Sequence, residues 1–259
     1  AANAPAVAAA SLARGVAFDP LETQDAQGST FEIEMALLSL DDMKLFFADG
    51  LKCGDFDDFE FISPVACSGN HVLAVGPLMI DLTTGDSVPS LNDLTIPLVG
   101  FDQVNMKTIP GDPEMGVVME GGPLDGVTLY LEGTLTCAGG FTVCTGTHAF
   151  STSLTFNSNV PFMGAPFTVD EATKSIRLNL ETDDWFSALD ITQCLEDADL
   201  NFEMDDSLII ANGGNPCDNI ENAMKNAFAA SAKFGEVVGG TAFAPESLPE
   251  GDHEEGDDE

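Results

Sequence analysis

The stretch that decides the fold is Phe31-Glu32-Ile33-Glu34-Met35. Apolar and acidic residues alternate in it. A period of two sends successive side chains to opposite faces of an extended chain, one face buried and one wet. The pattern continues through Leu37, Leu38 and Leu40, is broken by Asp41-Asp42, and resumes from Met43 to Phe47. Further apolar runs lie at 71–82, 94–106, 127–136, 141–156, 175–180 and 201–210, with Gly, Pro, Asn and Asp between them. Many short strands separated by turn residues predict a mainly β chain folded as a sandwich or barrel.

One helix is expected near 216–235. Asn215 suits the N-cap and Pro216 the first helical position. Ile220, Ala223, Met224, Ala227, Phe228, Ser231 and Phe234 then recur at helical spacing up to Gly235. A shorter helical turn is expected from Asp184 to Leu189. Residues 1–30 are Ala-rich and then turn-like, and read as an N-terminal arm or leader. An extended arm has the option of adding a strand to another subunit's sheet edge. The β domain is expected over 31–240 and an acidic tail over 241–259.

Charge narrows the partners. The chain has 259 residues, with 8 Lys and Arg against 44 Asp and Glu, a net charge of −36. Such a field repels phosphate backbones and anionic headgroups, which argues against nucleic acid. It also opposes compaction unless salt screens it or cations bind it. Two readings follow. One is a solvated acidic surface suited to a salty habitat. The other is a set of carboxylate sites that bind Ca2+, a hard cation that prefers oxygen ligands, and hold chain to chain.

The six cysteines are Cys53, Cys67, Cys137, Cys144, Cys194 and Cys217. An even number without any Cys-x-x-Cys fits disulfides better than zinc. Pairing of sequence neighbours, Cys53–Cys67, Cys137–Cys144 and Cys194–Cys217, is the simplest arrangement, and it implies an oxidising compartment. No apolar run reaches transmembrane length. The opening Ala-Ala-Asn-Ala-Pro-Ala, with no Met and no basic stretch, is the expected look of a mature N-terminus after signal-peptide removal.

No nucleophile elbow, P-loop, His-Glu-x-x-His or dinucleotide glycine motif is present, so no enzyme is expected. His71 and His148 sit within strand patterns and read as structural. Trp185, the only Trp, reads as a core anchor. The acidic clusters carry more. Asp55, Asp57, Asp58 and Glu60 alternate along a loop started by Gly54, a spacing that lets several oxygens converge on one ion. Asp197-x-Asp199-x-Asn201 opens like an EF-hand loop, but Phe202 stands where that loop needs Gly and Leu208 where it needs Glu. A generic site near Glu196, Asp197 and Asp199 remains. Asp41-Asp42, Asp183-Asp184 and Asp205-Asp206 are further candidate ligands, because adjacent bare carboxylates repel and gain most from a cation.

Two stretches carry a resemblance. Gly76-Pro77-Leu78-Met79-Ile80-Asp81-Leu82-Thr83-Thr84-Gly85, followed by Ile96-Pro97-Leu98-Val99-Gly100-Phe101-Asp102-Gln103-Val104, resembles the paired strands of prealbumin-like β-sandwich modules in exported bacterial proteins. Asp184-Trp185-Phe186 with the helix beyond it resembles their C-terminal part. The resemblance implies an antiparallel β-sandwich of immunoglobulin or prealbumin type with one C-terminal helix. Copper-binding proteins of this kind use His-rich ligands that are missing here. In character the acidity is similar to that of calcium-dependent extracellular matrix fibre subunits.

The expected function is a secreted, calcium-binding structural subunit that self-assembles as a homopolymer into an extracellular fibre or biofilm matrix, with Ca2+ bridging acidic loops. The alternative is a monomeric periplasmic or cell-surface β-sandwich module that binds a metal or ligand. Hydrolysis through paired carboxylates is the least supported reading, since such pairs carry little specificity in so acidic a chain.

Overall fold

A computed structural model describes residues 7–9, 11–12, 21–91, 94–162, 166–173 and 175–238. In chain order the strands are β1 Val7–Ala9, β2 Ser11–Leu12, β3 Leu21–Gln24, β4 Thr30–Phe47, β5 Val65–Ser68, β6 His71–Asp81, β7 Ser87–Val88, β8 Thr95–Pro97, β9 Gly100–Thr108, β10 Leu129–Thr136, β11 Thr147–Leu154, β12 Ser158–Phe162, β13 Phe167–Thr168, β14 Ser175–Leu180, β15 Leu208–Ile210 and β16 Ala232–Val238. The helices are α1 Asp184–Ser187, α2 Ile191–Glu196 and α3 Ile220–Ala230. The expected acidic tail, and most of the expected arm before residue 21, lie outside the described residues.

The chain is mainly β, built on one large sheet ordered β12-β9-β4-β10-β11-β15, to which β3, β6 and β13 add at the sides. The sheet is mixed: β11 and β15 run parallel, where the sequence reading expected antiparallel pairing.

β4 is the spine. It runs unbroken for 18 residues and pairs with β10 and β3 through its first half and with β6 and β9 through its second. The expected break at Asp41-Asp42 is a bulge within the strand. Register slips at Glu34 against β10 and at Asp41 against both β6 and β9. Each extra residue reverses which face is buried. The inward set therefore passes from Phe31 and Ile33 to Ala36, Leu38 and Leu40, and then to Met43, Leu45 and Phe47. A neighbouring glycine seats each bulge. A Cβ on Gly133 would stand 2.0 Å from the Glu32 carbonyl oxygen, and one on Gly76 would stand 1.9 Å from that of Asp41.

β3 pairs with β4 from Leu21↔Ile33 to Gln24↔Thr30, so part of the expected arm is built into the main sheet. The helices pack on the buried face. Phe186 of α1 stacks on Phe31 at 4.4 Å, and Phe150 meets Phe31 edge-on at 5.2 Å. Trp185, 2% exposed, lies 5.6 Å from Phe228 of α3. Its indole N–H donates to Ser231 Oγ at 3.0 Å, and Ser231 Oγ donates to the Phe228 carbonyl at 2.7 Å.

The expected helix is shorter than its sequence pattern at both ends. It starts at Ile220 because Asn212, not Asn215, supplies the side-chain oxygen that accepts the Glu221 N–H. It stops at Ala230 because the chain turns into β16, which pairs along β14. The three disulfides join sequence neighbours: Cys53–Cys67, Cys137–Cys144 and Cys194–Cys217. Bridges of this kind contribute about 2–4 kcal/mol each. Among the described residues no helix is long and apolar enough to cross a membrane.

Candidate functional site

The predicted ligands fall into two groups: those held by the protein's own donors and those left bare. Asp41 and Asp42 belong to the first. Asp41 ion-pairs with Lys107 of β9, and Asp42 Oδ2 lies 3.0 Å from Lys44 Nζ. The hydrogen bond that Lys107 donates to Asp41, then the Asp41 charge, raises the pKa of Lys107 above the ordinary lysine value. This doublet is therefore neutralised within the sheet.

Asp55 is also engaged, accepting the Lys52 N–H at 2.8 Å across the short 3-10 turn Cys53–Phe56. Asp57, Asp58 and Glu60 are exposed, while Phe56 and Phe59 between them are buried. The alternation in this loop anchors it through its rings and leaves all four of its acids exposed.

Glu196 is the most heavily bonded predicted residue. Its Oε1 accepts the N–H groups of Thr142, Val143 and Cys144 at 2.8, 2.5 and 3.0 Å, and Oε2 accepts the Thr142 hydroxyl at 2.8 Å. Desolvation is the largest single influence on its pKa and acts upward. The four hydrogen bonds together outweigh it and hold the group below the ordinary glutamate value. The Cys137–Cys144 bridge closes the loop that presents those donors. Asp197 is exposed beyond the end of α2, and Asp199 lies against Gly213 and Gly214. The three acids are neighbours in sequence and do not share a site.

Asp205 accepts the Ser207 hydroxyl at 2.7 Å and its N–H at 3.3 Å, bonds that lower its pKa. Asp206, at a positive φ of 67°, places Oδ2 3.1 Å from His148 Nδ1. His148 packs on Phe202 with ring centroids 4.1 Å apart, and its Nε2 lies 2.8 Å from the Thr145 carbonyl oxygen. Asp183 and Asp184 are both exposed at the start of α1. Among the described residues no three His, Cys, Asp or Glu side chains converge as a cage for a metal ion.

Two features escaped the sequence reading. The first is Asp25, 5% exposed, in the turn between β3 and β4. Its Oδ1 accepts the N–H groups of Gln27 and Ser29, and its Oδ2 accepts the N–H and hydroxyl of Thr192. Because the Thr192 proton goes to Asp25, the Ser29 hydroxyl donates to Thr192 Oγ1 at 2.6 Å and accepts the Ala138 N–H at 2.8 Å. One buried network thus ties the β3–β4 turn, α2 and the Cys137 loop together.

The second feature is an acidic face that no ion pair among the described residues neutralises. Glu22 of β3 stands directly opposite Glu32 of β4, a register that brings Cβ atoms within about 5 Å of each other. Glu34 and Glu132 are exposed nearby on β4 and β10. The neutral donors there are Thr134, to Glu34 at 3.0 Å, and Tyr130, to Glu132 at 2.6 Å. Burial, then the Glu132 bond and charge, pushes the Tyr130 pKa up to about 12. None of the ion pairs among the described residues reaches this face. Beside it opens a cavity of 420 Å³ lined by Glu22, Thr23, Gln24, Asp25, Asp183 and Ser187.

Comparison of the chain with protein-family models, curated proteins and solved structures finds no match.

Proposed function

We propose that this is an exported structural subunit that assembles with copies of itself into a fibre or matrix, with Ca2+ held between acidic faces of neighbouring copies. The observation that carries the reading is the opposition of Glu22 and Glu32 on an outward sheet face. Like charges directly opposed across strands destabilise a sheet, and a divalent cation shared with a second surface removes that penalty. The engaged carboxylates, Asp41, Asp42, Asp55 and Glu196, are the protein's internal acceptors. Of the exposed ones, Glu22, Glu32, Glu34 and Glu132 on the sheet face are the cation ligands that join copies. Three disulfides suit an oxidising, extracellular setting. A two-layer β-sandwich is the architecture we assign to the body, supported by a spine strand whose two halves pair with different strands over one core cluster.

Sedimentation velocity tests the reading, with the protein in calcium, in chelator, and in high sodium chloride. The expected result is assembly in calcium that chelator reverses and sodium chloride does not reproduce. A monomer throughout in calcium would end the proposal. Equal assembly in sodium chloride would favour a surface adapted to salt.

The cavity beside Glu22 and Asp183 favours a second reading, a monomeric binding module for a cationic or metal ligand. A single tightly held metal found by elemental analysis, without assembly, would select it.

A further inference from the structure

The segment before α3 contains Asn212-Gly213, the dipeptide in which the following backbone nitrogen most readily attacks the asparagine side chain. In that reaction the Gly213 backbone nitrogen gives up its proton to solvent base and bonds to Asn212 Cγ. The side-chain nitrogen leaves as ammonia and a five-membered succinimide forms. Water then opens either carbonyl, giving aspartate or isoaspartate. The balance is amide plus water to carboxylate plus ammonium, with no change of oxidation state and no reactant beyond water.

Packing forces this sequence. A Cβ at position 213 would stand 2.4 Å from the Asp199 carbonyl oxygen and 3.3 Å from Leu200 Cδ2, so no bulkier, slower-reacting residue fits. Asn212 is exposed, so water and base reach it.

The fold ties each of the two reacting groups to another partner. The Gly213 N–H donates to the Cys217 carbonyl at 2.8 Å, and Asn212 Oδ1 accepts the Glu221 N–H at 3.0 Å. Cys217 is in turn fixed by its bridge to Cys194 in α2. We propose that Asn212 is a latent deamidation site kept closed by the Glu221 N–H that holds its side chain and by the Cys194–Cys217 disulfide that fixes Cys217, so that loss of this bridge is recorded irreversibly as a new negative charge, on aspartate or isoaspartate, ahead of α3. Reaction through a locally opened state slows by the population of that state, about tenfold for each 1.4 kcal/mol of opening free energy.

The test is peptide mapping by mass spectrometry of the full chain aged in mildly alkaline buffer. A synthetic peptide spanning 208–216 gives the unprotected rate. Asn212 in the oxidised wild type is expected to convert roughly tenfold or more slowly than in the peptide. In the Cys194→Ser/Cys217→Ser variant it is expected to approach the peptide rate. Wild-type conversion at the peptide rate overturns the proposal. So does a folded double variant, judged by buried Trp185 emission, that stays as slow as the wild type. If the double variant does not fold, Glu221→Pro takes its place. It keeps all three bridges, lies in the first helical turn where proline is tolerated, and removes the N–H that holds Asn212. Faster conversion than wild type supports the proposal, and an unchanged slow rate overturns it.

Discussion

Asp25 and Thr192 lie 167 residues apart and meet at one carboxylate oxygen: Asp25 Oδ2 accepts the Thr192 amide at 2.8 Å and its hydroxyl at 2.6 Å. Removing this acceptor strands the buried N–H groups of Ser29 and Thr192, each costly to leave unmet. Asp25→Ala is expected to lower stability by about 3 kcal/mol. In a chain of this length that corresponds to a drop in Tm of about 6–12 °C, read by calorimetry with the disulfides intact. Thr192→Val, which keeps the amide, should cost less.

Gly76 and Gly133 seat the two bulges of β4, and their substitution should be more damaging than that of an open glycine. A methyl group at either position overlaps a backbone carbonyl, which cannot rotate away as a side chain does. Gly133→Ala and Gly76→Ala are each expected to cost more than about 2 kcal/mol in urea unfolding. Gly54→Ala meets nothing within 4 Å and should stay within about 0.5 kcal/mol of wild type.

The start of β4 was legible because Phe31, Glu32, Ile33 and Glu34 alternate cleanly. The bulges were not, because a strict period of two reads Asp41-Asp42 as an end. The signal present was a change of phase: Ile33 to Ala36, and Leu40 to Met43, are steps of three between inward residues. Phe234 fits the helical spacing of Phe228 and Ser231, yet lies in β16, because pairing with β14 outweighs a local period. The cysteine pairs were legible since each bridge joins nearest neighbours. The acidic doublets misled, since a sequence shows like charges side by side but not Lys107 across the strand from Asp42, nor the three amides around Glu196.

Glu196 gives the fold a dependence on pH. Its folded pKa lies below the unfolded value, so its bonds contribute stability above about pH 4.3, the ordinary glutamate range, and lose it as pH falls through the lower folded pKa. Glu196→Gln should therefore unfold at lower urea than wild type near neutrality. The gap should narrow as the pH is lowered below that range. A gap that stays constant with pH would place the contribution elsewhere.

Trp185 reports on the helical side of the core. Being the only Trp and 2% exposed, it should emit in the blue and shift to the red on unfolding. Ser231→Ala leaves its indole N–H without the acceptor at 3.0 Å, which is expected to cost about 1–2 kcal/mol with the native emission maintained.

Under the proposed function, calcium joins copies of this chain through the Glu22–Glu32 face. The most direct measurement compares calcium-dependent sedimentation of the wild type with two variants. One is Glu22→Gln/Glu32→Gln/Glu132→Gln, and the other is Asp57→Asn/Asp58→Asn/Glu60→Gln. Calcium is expected to assemble the wild type and the loop variant, while the face variant remains a monomer. Assembly of the face variant at the wild-type calcium concentration, or no assembly of the wild type, would contradict the proposed function.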